Sequence, residues 1–272
     1  MSFKFTVIAT AALLAANLAS AQTAAPAAPK APEPDYTVSY NVGAVSDYRF
    51  RGISQTSNKP AVQGGIDVAF KNGVYIGTWA SNVGWVRAFN LASKSAFELD
   101  IYGGYKTEIA KDTSIDLGVI SYQYPGNNSG AAGTNGAGAF SNANTNEYYG
   151  AITYGIYTGK YSRSFGDFLG NLRSKGSTYF DFSAAIDLGN GMTLTPHVGR
   201  QMVANTAAAN YNDYALTFAK DMGKGLTLTA AATGTSSGKN NGNGFYNDAA
   251  APVSDGKYIA GSAIVLGAKY SF

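Results

Sequence analysis

The stretch Tyr36 to Gly52 reads Y-T-V-S-Y-N-V-G-A-V-S-D-Y-R-F-R-G. Tyr36, Val38, Tyr40, Val42, Ala44, Tyr48 and Phe50 fall in one phase; Thr37, Ser39, Asn41, Gly43, Asp47, Arg49 and Arg51 fall in the other. Successive side chains of a strand point to opposite faces, so a strand here has one apolar and one polar face. The polar face ends in an acid and two arginines beside Tyr48 and Phe50. An apolar outside with a charged inside is the pattern the remaining sequence has to explain.

The alternation recurs along the chain. Val62, Gly64, Ile66, Val68 and Phe70 oppose Gln63, Gly65 and Asp67. Phe97, Leu99, Ile101 and Tyr105 oppose Glu98, Asp100 and Lys106, and Ile115, Leu117 and Val119 oppose Asp116. There the apolar phase shifts to Ile120, Tyr122 and Tyr124, as a bulge would cause. Tyr148, Ile152, Tyr154 and Ile156 oppose Glu147 and Thr153, and a short strand is expected over Lys160–Phe165. Phe180, Phe182, Ala184, Ile186 and Leu188 oppose Tyr179, Asp181 and Asp187. Further strands are expected around Met192–Val198, Tyr214–Phe218, Leu226–Ala232 and Lys257–Phe272. Apart from Pro196, strand interiors are free of proline, as ladder pairing requires.

The connections alternate in length. Short ones fall at Lys71–Gly73, Glu108–Asp112, Thr158–Gly159, Gly189–Gly191 and Asp221–Gly225. Long Gly/Asn/Ala/Ser-rich ones fall at Gly52–Pro60, Gly84–Lys94, Pro125–Asn146, Gly166–Gly176, Ala204–Tyr211 and Ser236–Gly256. This predicts an all-β fold, a transmembrane antiparallel up-and-down β-barrel of about twelve strands with short periplasmic turns and long external loops. Rings at Tyr36, Tyr48, Phe70, Tyr105, Tyr148 and Tyr258 sit towards strand ends, as interfacial girdles do. A soluble β-sandwich or lipocalin-like barrel fits less well, because the polar face, small residues with isolated acids, makes a poor water-facing surface.

Composition agrees. Of 272 residues 13% are aromatic and only 14% charged, below the roughly 25% of soluble domains. The chain has no cysteine, which excludes disulfides, thiolate metal sites and a cysteine nucleophile. A net charge of +3 without a Lys/Arg stripe excludes a nucleic-acid partner. Lys4, the apolar run Val7–Leu18 and Ala19-Ser20-Ala21 predict a signal peptide over residues 1–21. Residues 22–35, Ala/Pro-rich, read as a disordered lead-in to a barrel over 36–272.

Ser46-Asp47-Tyr48-Arg49-Phe50-Arg51-Gly52-Ile53-Ser54-Gln55-Thr56 resembles the signature of the TorF family of proteobacterial porins. Ala61-Val62-Gln63-Gly64-Gly65-Ile66-Asp67, Glu98-Leu99-Asp100-Ile101-Tyr102-Gly103-Gly104-Tyr105 and Tyr122-Gln123-Tyr124-Pro125-Gly126 add to the resemblance. It implies an outer-membrane barrel. The final run Ile264, Leu266, Ala268, Tyr270 and Phe272 resembles the C-terminal signal of such barrels, which implies the barrel-assembly machinery as a partner.

Chemistry then belongs on the polar face. The candidate pore-lining set is Asp47, Arg49, Arg51, Asp67, Glu98, Asp100, Asp116, Glu147, Asp181, Asp187 and Asp213. An arginine on a lipid face at mid-membrane costs about 2–4 kcal/mol, which turns Arg49 and Arg51 inward. Two roles stand open for them: a transverse field that orients solutes, or braces paired with luminal acids. An enzyme is disfavoured. Outer-membrane phospholipases carry a serine two positions after their histidine, whereas His197 is followed at that spacing by Gly199. No metal site and no cofactor are expected. The reading is a bacterial outer-membrane channel for passive diffusion of small hydrophilic solutes, with a non-conducting binding or anchoring barrel as the alternative.

Overall fold

The computed structural model describes residues 34–237, 245–246 and 258–272. The expected signal peptide and nearly all of the Ala/Pro-rich lead-in lie outside the described residues. The strands, in chain order, are β1 Tyr36–Val45, β2 Ala61–Phe70, β3 Val74–Asn82, β4 Phe97–Ala110, β5 Thr113–Gln123 and β6 Thr145–Tyr154. They continue with β7 Tyr157–Ser164, β8 Thr178–Ala184 with Ile186–Gly189, β9 Met192–Met202, β10 Tyr211–Asp221, β11 Leu226–Thr235 and β12 Ala263–Ser271. Each pairs antiparallel with its sequence neighbours, and β12 closes on β1 through Val42↔Tyr270 and Ala44↔Ala268. The 13 hydrogen-bonded segments thus make twelve strands, because the two parts of β8 are one strand interrupted at Ala185. Pro196, across the sheet from this break, has no N–H to give the ladder.

Alternation places every second side chain on the outside. Val62, Ile76, Leu117, Ile152, Phe182, Val198, Leu216 and Ile264 form a continuous exposed apolar exterior. Tyr36 against Phe70 and Tyr40 against Phe272 extend it at the short-turn end, with ring centroids 6.3 and 5.6 Å apart. The turns there use residues that tolerate φ > 0: Asn190 (52°) and Gly191 (72°) form the two-residue link from β8 to β9. Among the described residues no helix is long and apolar enough to cross a membrane.

Several boundaries differ from expectation. β7 is longer than the Lys160–Phe165 reading, so its turn lies at Gly155–Ile156 and Thr158–Gly159 is strand. β12 starts at Ala263 rather than at Lys257. No bulge accompanies Ile120 and Tyr122; they occupy the inward phase of an unbroken β5, opposite Tyr102 and Asp100. They are apolar because something packs against them inside the barrel. That occupant is the second half of the opening stretch.

Candidate functional site

β1 ends at Val45, and the chain turns into the barrel instead of continuing the wall. Arg49–Phe50 pairs with Ile53–Ser54 as a minimal hairpin, with Arg51 (φ 49°) and Gly52 (φ 80°) at its tip. Two successive positive φ values are what a two-residue hairpin turn requires, and arginine accepts this less readily than glycine. A Cβ on Gly52 would lie 2.7 Å from Thr235 Cγ2 and 2.8 Å from Asp213 Cβ, so the tip seats directly on the β10–β11 wall.

Tyr48 and Phe50 therefore do not face outward as strand phase predicted. Tyr48 packs edge-on to Trp79 at 5.3 Å and donates its hydroxyl to Glu98 at 2.8 Å. Phe50 meets Tyr122 edge-on at 5.3 Å. Tyr258, expected in the exterior girdle, packs instead against the inner cluster of Ile53, Tyr211, Ile259 and Ala260. The long connections add to this filling. The short helix Trp85–Ala88 buries Trp85 and Val86 against Tyr122, Tyr124 and Val83. A third cluster joins Phe168, Val203 and Ala209 and shares Phe50 and Leu169 with its neighbours. The long-loop end of the lumen is thus packed around the hairpin.

Its charges are tied down. Asp47, buried, accepts hydrogen bonds from Arg49 Nε at 2.6 Å and Ser54 Oγ at 2.5 Å, holding the hairpin base. Arg49 also donates to the carbonyls of Gly52 at 3.0 Å and Gly261 at 2.8 Å. Arg51 grips Glu147 on β6 with both terminal nitrogens, at 3.1 and 2.6 Å, and donates to Gln201 on β9 at 2.8 Å. Its guanidinium lies 4.2 Å from the ring centre of Tyr179. Burial works against that charge, but Glu147 together with Tyr122 and Tyr179 holds the Arg51 pKa above the ordinary arginine value. Both arginines brace the inserted hairpin. Glu98 and Asp100, both buried on β4, sit next to the hairpin's Tyr48 side.

Towards the short-turn end the inner wall is built differently. Tyr75, Tyr102 and Tyr149 lie flat across glycines of adjacent strands, and Tyr179, nearer the long connections beneath Arg51, does the same over Gly199. A Cβ on Gly118 would come 2.5 Å from the Tyr149 hydroxyl, and one on Gly77 2.5 Å from Tyr102 Cε2. Each ring then offers its hydroxyl along the wall. Tyr102 donates to Asp67 at 2.5 Å and Tyr75 to Asp116 at 2.6 Å, while the Tyr75 and Tyr149 hydroxyls bond each other. Lys160 stands 4.0 Å over the Tyr149 ring. On the facing wall His197 Nε2 contacts Asp181 at 2.8 Å, and the Tyr179 hydroxyl reaches Asp213 at 3.1 Å. His197 is a member of a wall network, with Gly199 lying under the Tyr179 ring.

The candidate residues are thus divided. Asp47, Arg49, Arg51, Glu98, Asp100 and Glu147 belong to the packed hairpin region. Asp67, Asp116 and Asp181 line the wall, and Asp213 lies buried where the hairpin tip meets it. Asp187 joins neither: it is exposed at the turn and accepts the Gly189 N–H at 2.8 Å. Tyr270 and Phe272 are exposed on the outside, 5.7 Å apart. The flat tyrosines were not foreseen as a group. Their signal was a tyrosine in the polar phase level with glycines on neighbouring strands.

The chain matches the family described as "Bacterial protein of unknown function (Gcw_chp)" over residues 28–256. Among curated proteins no sequence matches significantly. Among solved structures, a KdgM porin in complex with disordered oligogalacturonate superposes with a TM-score of 0.50 at 9% identity, covering 86% of this chain and 98% of that one. The NanC porin gives a TM-score of 0.51 at 9% identity, covering 86% and 99%. At such identities the likeness is one of fold: a porin-like barrel.

Proposed function

The chain belongs to the Gcw_chp family of bacterial proteins, and we propose that it is an outer-membrane porin-like channel through which small hydrophilic solutes diffuse passively. One observation carries the reading: twelve strands close without an edge, with an apolar exterior and, towards the short turns, an interior of hydroxyls, carboxylates and glycines. In hydrocarbon every backbone N–H and C=O needs an internal partner, and a closed barrel supplies one for each strand. So extensive an exposed apolar surface is unfavourable in water. The fold likeness to KdgM and NanC supports this reading, as does the resemblance of residues 46–56 to TorF-family porins. In this orientation the short turns are periplasmic and the long connections external.

The KdgM porin structure is a complex with disordered oligogalacturonate. Here the open wall carries Asp67, Asp116 and Asp181 against Lys160 and His197. This balance favours neutral or cationic solutes. Refolded protein in planar bilayers is the test. Discrete conductance steps with cation preference are expected, and a barrel that inserts but stays silent would overturn the channel.

The three apolar clusters around the hairpin favour a second reading, a non-conducting barrel that binds or anchors at the cell surface. That barrel would stay silent even after the hairpin is released.

A further inference from the structure

The outward phase of the barrel is apolar or uncharged nearly everywhere. Strand pairing places only Arg163, Arg200 and Lys220 as charged residues on it among the described residues. Lys220 lies at the short-turn end, where its ammonium donates to the Asn190 carbonyl. Arg163 and Arg200 lie together at the other end. They flank β8, Arg163 opposite Thr178 and Arg200 opposite Phe180, one outward step apart. Two inter-strand spacings across and two residues along the strand separate them, about 12 Å, which two long side chains can close onto one anionic group.

Neither guanidinium is in an ion pair among the described residues, and both side chains are exposed. Arg163 lies against Gly176 in the connection above, where a Cβ would come 3.3 Å from its Nη2. Arg200 gives one N–H to Asn212 at 3.1 Å, which leaves its remaining donors outward. The same connection adds exposed Arg173 and Lys175, and it is fastened by Asn205 donating to the Arg173 carbonyl at 2.8 Å. Directly below, Tyr161 and Phe180 pack at 4.9 Å, followed by exposed Phe182 and Val198. Cationic donors therefore stand over an apolar wall, which matches an amphiphile with an anionic head and acyl tails.

We propose that Arg163 and Arg200 form a binding site for the phosphate of a phosphorylated lipid in the leaflet facing the long connections. The proposal rests on the membrane reading above. An arginine at that interface costs far less than one at mid-membrane, so the depth of both residues suits a headgroup contact. Guanidinium and phosphate match in geometry as bidentate partners.

The test uses refolded full-length protein in detergent micelles, with bound lipid measured by native mass spectrometry. The probes are bis-phosphorylated lipid A, the same lipid dephosphorylated, and inorganic phosphate as competitor. Wild type should retain the phosphorylated lipid at least tenfold better than the dephosphorylated one, and millimolar phosphate should not displace it. R163Q/R200Q should lose that preference while keeping heat-modifiable mobility, and R163K/R200K should keep part of it. If the double variant does not fold, R163Q and R200Q singly must each weaken the preference. Equal retention of both lipids by wild type, or an unchanged preference in the folded variants, would overturn the site. Displacement by inorganic phosphate would overturn the lipid as its ligand. Flotation with vesicles separates the two levels: a wild type that fails to insert overturns the membrane reading, whereas one that inserts without phosphate preference overturns this site alone.

Discussion

Arg51→Gln should loosen the seating of the inserted hairpin. The substitution removes a two-pronged pair with Glu147, whose side chains are only 7% and 1% exposed, together with the bond to Gln201 and the stacking on Tyr179. Glu147 would be left buried with only Tyr122, 3.5 Å away, as a donor. Breaking one side of a buried pair costs about 3–5 kcal/mol. Because the barrel ladder closes without the hairpin, that cost falls on hairpin seating rather than on the strands. A shift of about 3 kcal/mol changes the open-to-seated ratio roughly a hundredfold. Apolar packing of Phe50 and Ile53 still favours the seated form, so it is the ratio that should move. Single-channel recording should show a higher open probability or a larger conductance step than wild type. Trypsin should cut after Arg49 in the variant and not in the native protein. Arg51→Gln with Glu147→Gln should recover part of the effect, since no charge is then buried alone. A folded Arg51→Gln protein with native conductance and native resistance at Arg49 would refute the bracing role.

Two further outcomes follow from the wall. Gly118→Ala puts a methyl 2.5 Å from the Tyr149 hydroxyl and 2.8 Å from the Gly103 carbonyl oxygen, so the ring must swing into the lumen. Conductance should fall, and denaturant unfolding should show a loss of about 1–3 kcal/mol. Asp67→Asn with Asp116→Asn keeps acceptors for the Tyr102 and Tyr75 hydroxyls but removes two lumen charges. The reversal potential in a salt gradient should shift towards anions, and an unshifted potential would show that these acids do not face the permeation path.

Much of the wall was legible because its physics is local. Period-two alternation along Tyr36–Ala44, Val62–Phe70 and Phe97–Tyr105 records which side chains meet the outside, and Asn190-Gly191 records a turn through its need for positive φ. The opening stretch misled from Asp47 onward. Tyr48, Arg49, Phe50 and Arg51 keep the strand pattern, yet Asp47 gathers Arg49, Ser54 and Thr56 and bends them into a hairpin. The Arg51-Gly52 tip was the local clue. Its destination was set by Glu147 and Gln201, about a hundred residues or more away, which no local pattern encodes. For the same reason Ile120 and Tyr122 resembled a bulge: their apolar character answers the hairpin, not the lipid. Asp187 fits the inward phase but lies so close to the turn that it caps it.

Single-cysteine labelling tests the account most directly, since the native chain has no cysteine to remove. Cysteines placed one at a time from Val38 to Phe50 would be challenged, in protein reconstituted into vesicles, with a lipid-soluble and a water-soluble maleimide. Cysteines at Val38, Tyr40 and Val42 should react with the lipid-soluble reagent, and those at Ser39, Asn41 and Gly43 only with the aqueous one. Those at Tyr48 and Phe50 should react with neither in the otherwise native chain, and should become reactive when Arg51→Gln raises the fraction of time the hairpin is open. Lipid-phase labelling that continued in step through Tyr48 and Phe50 would contradict this, because the opening strand would then be an unbroken wall with no hairpin in the lumen.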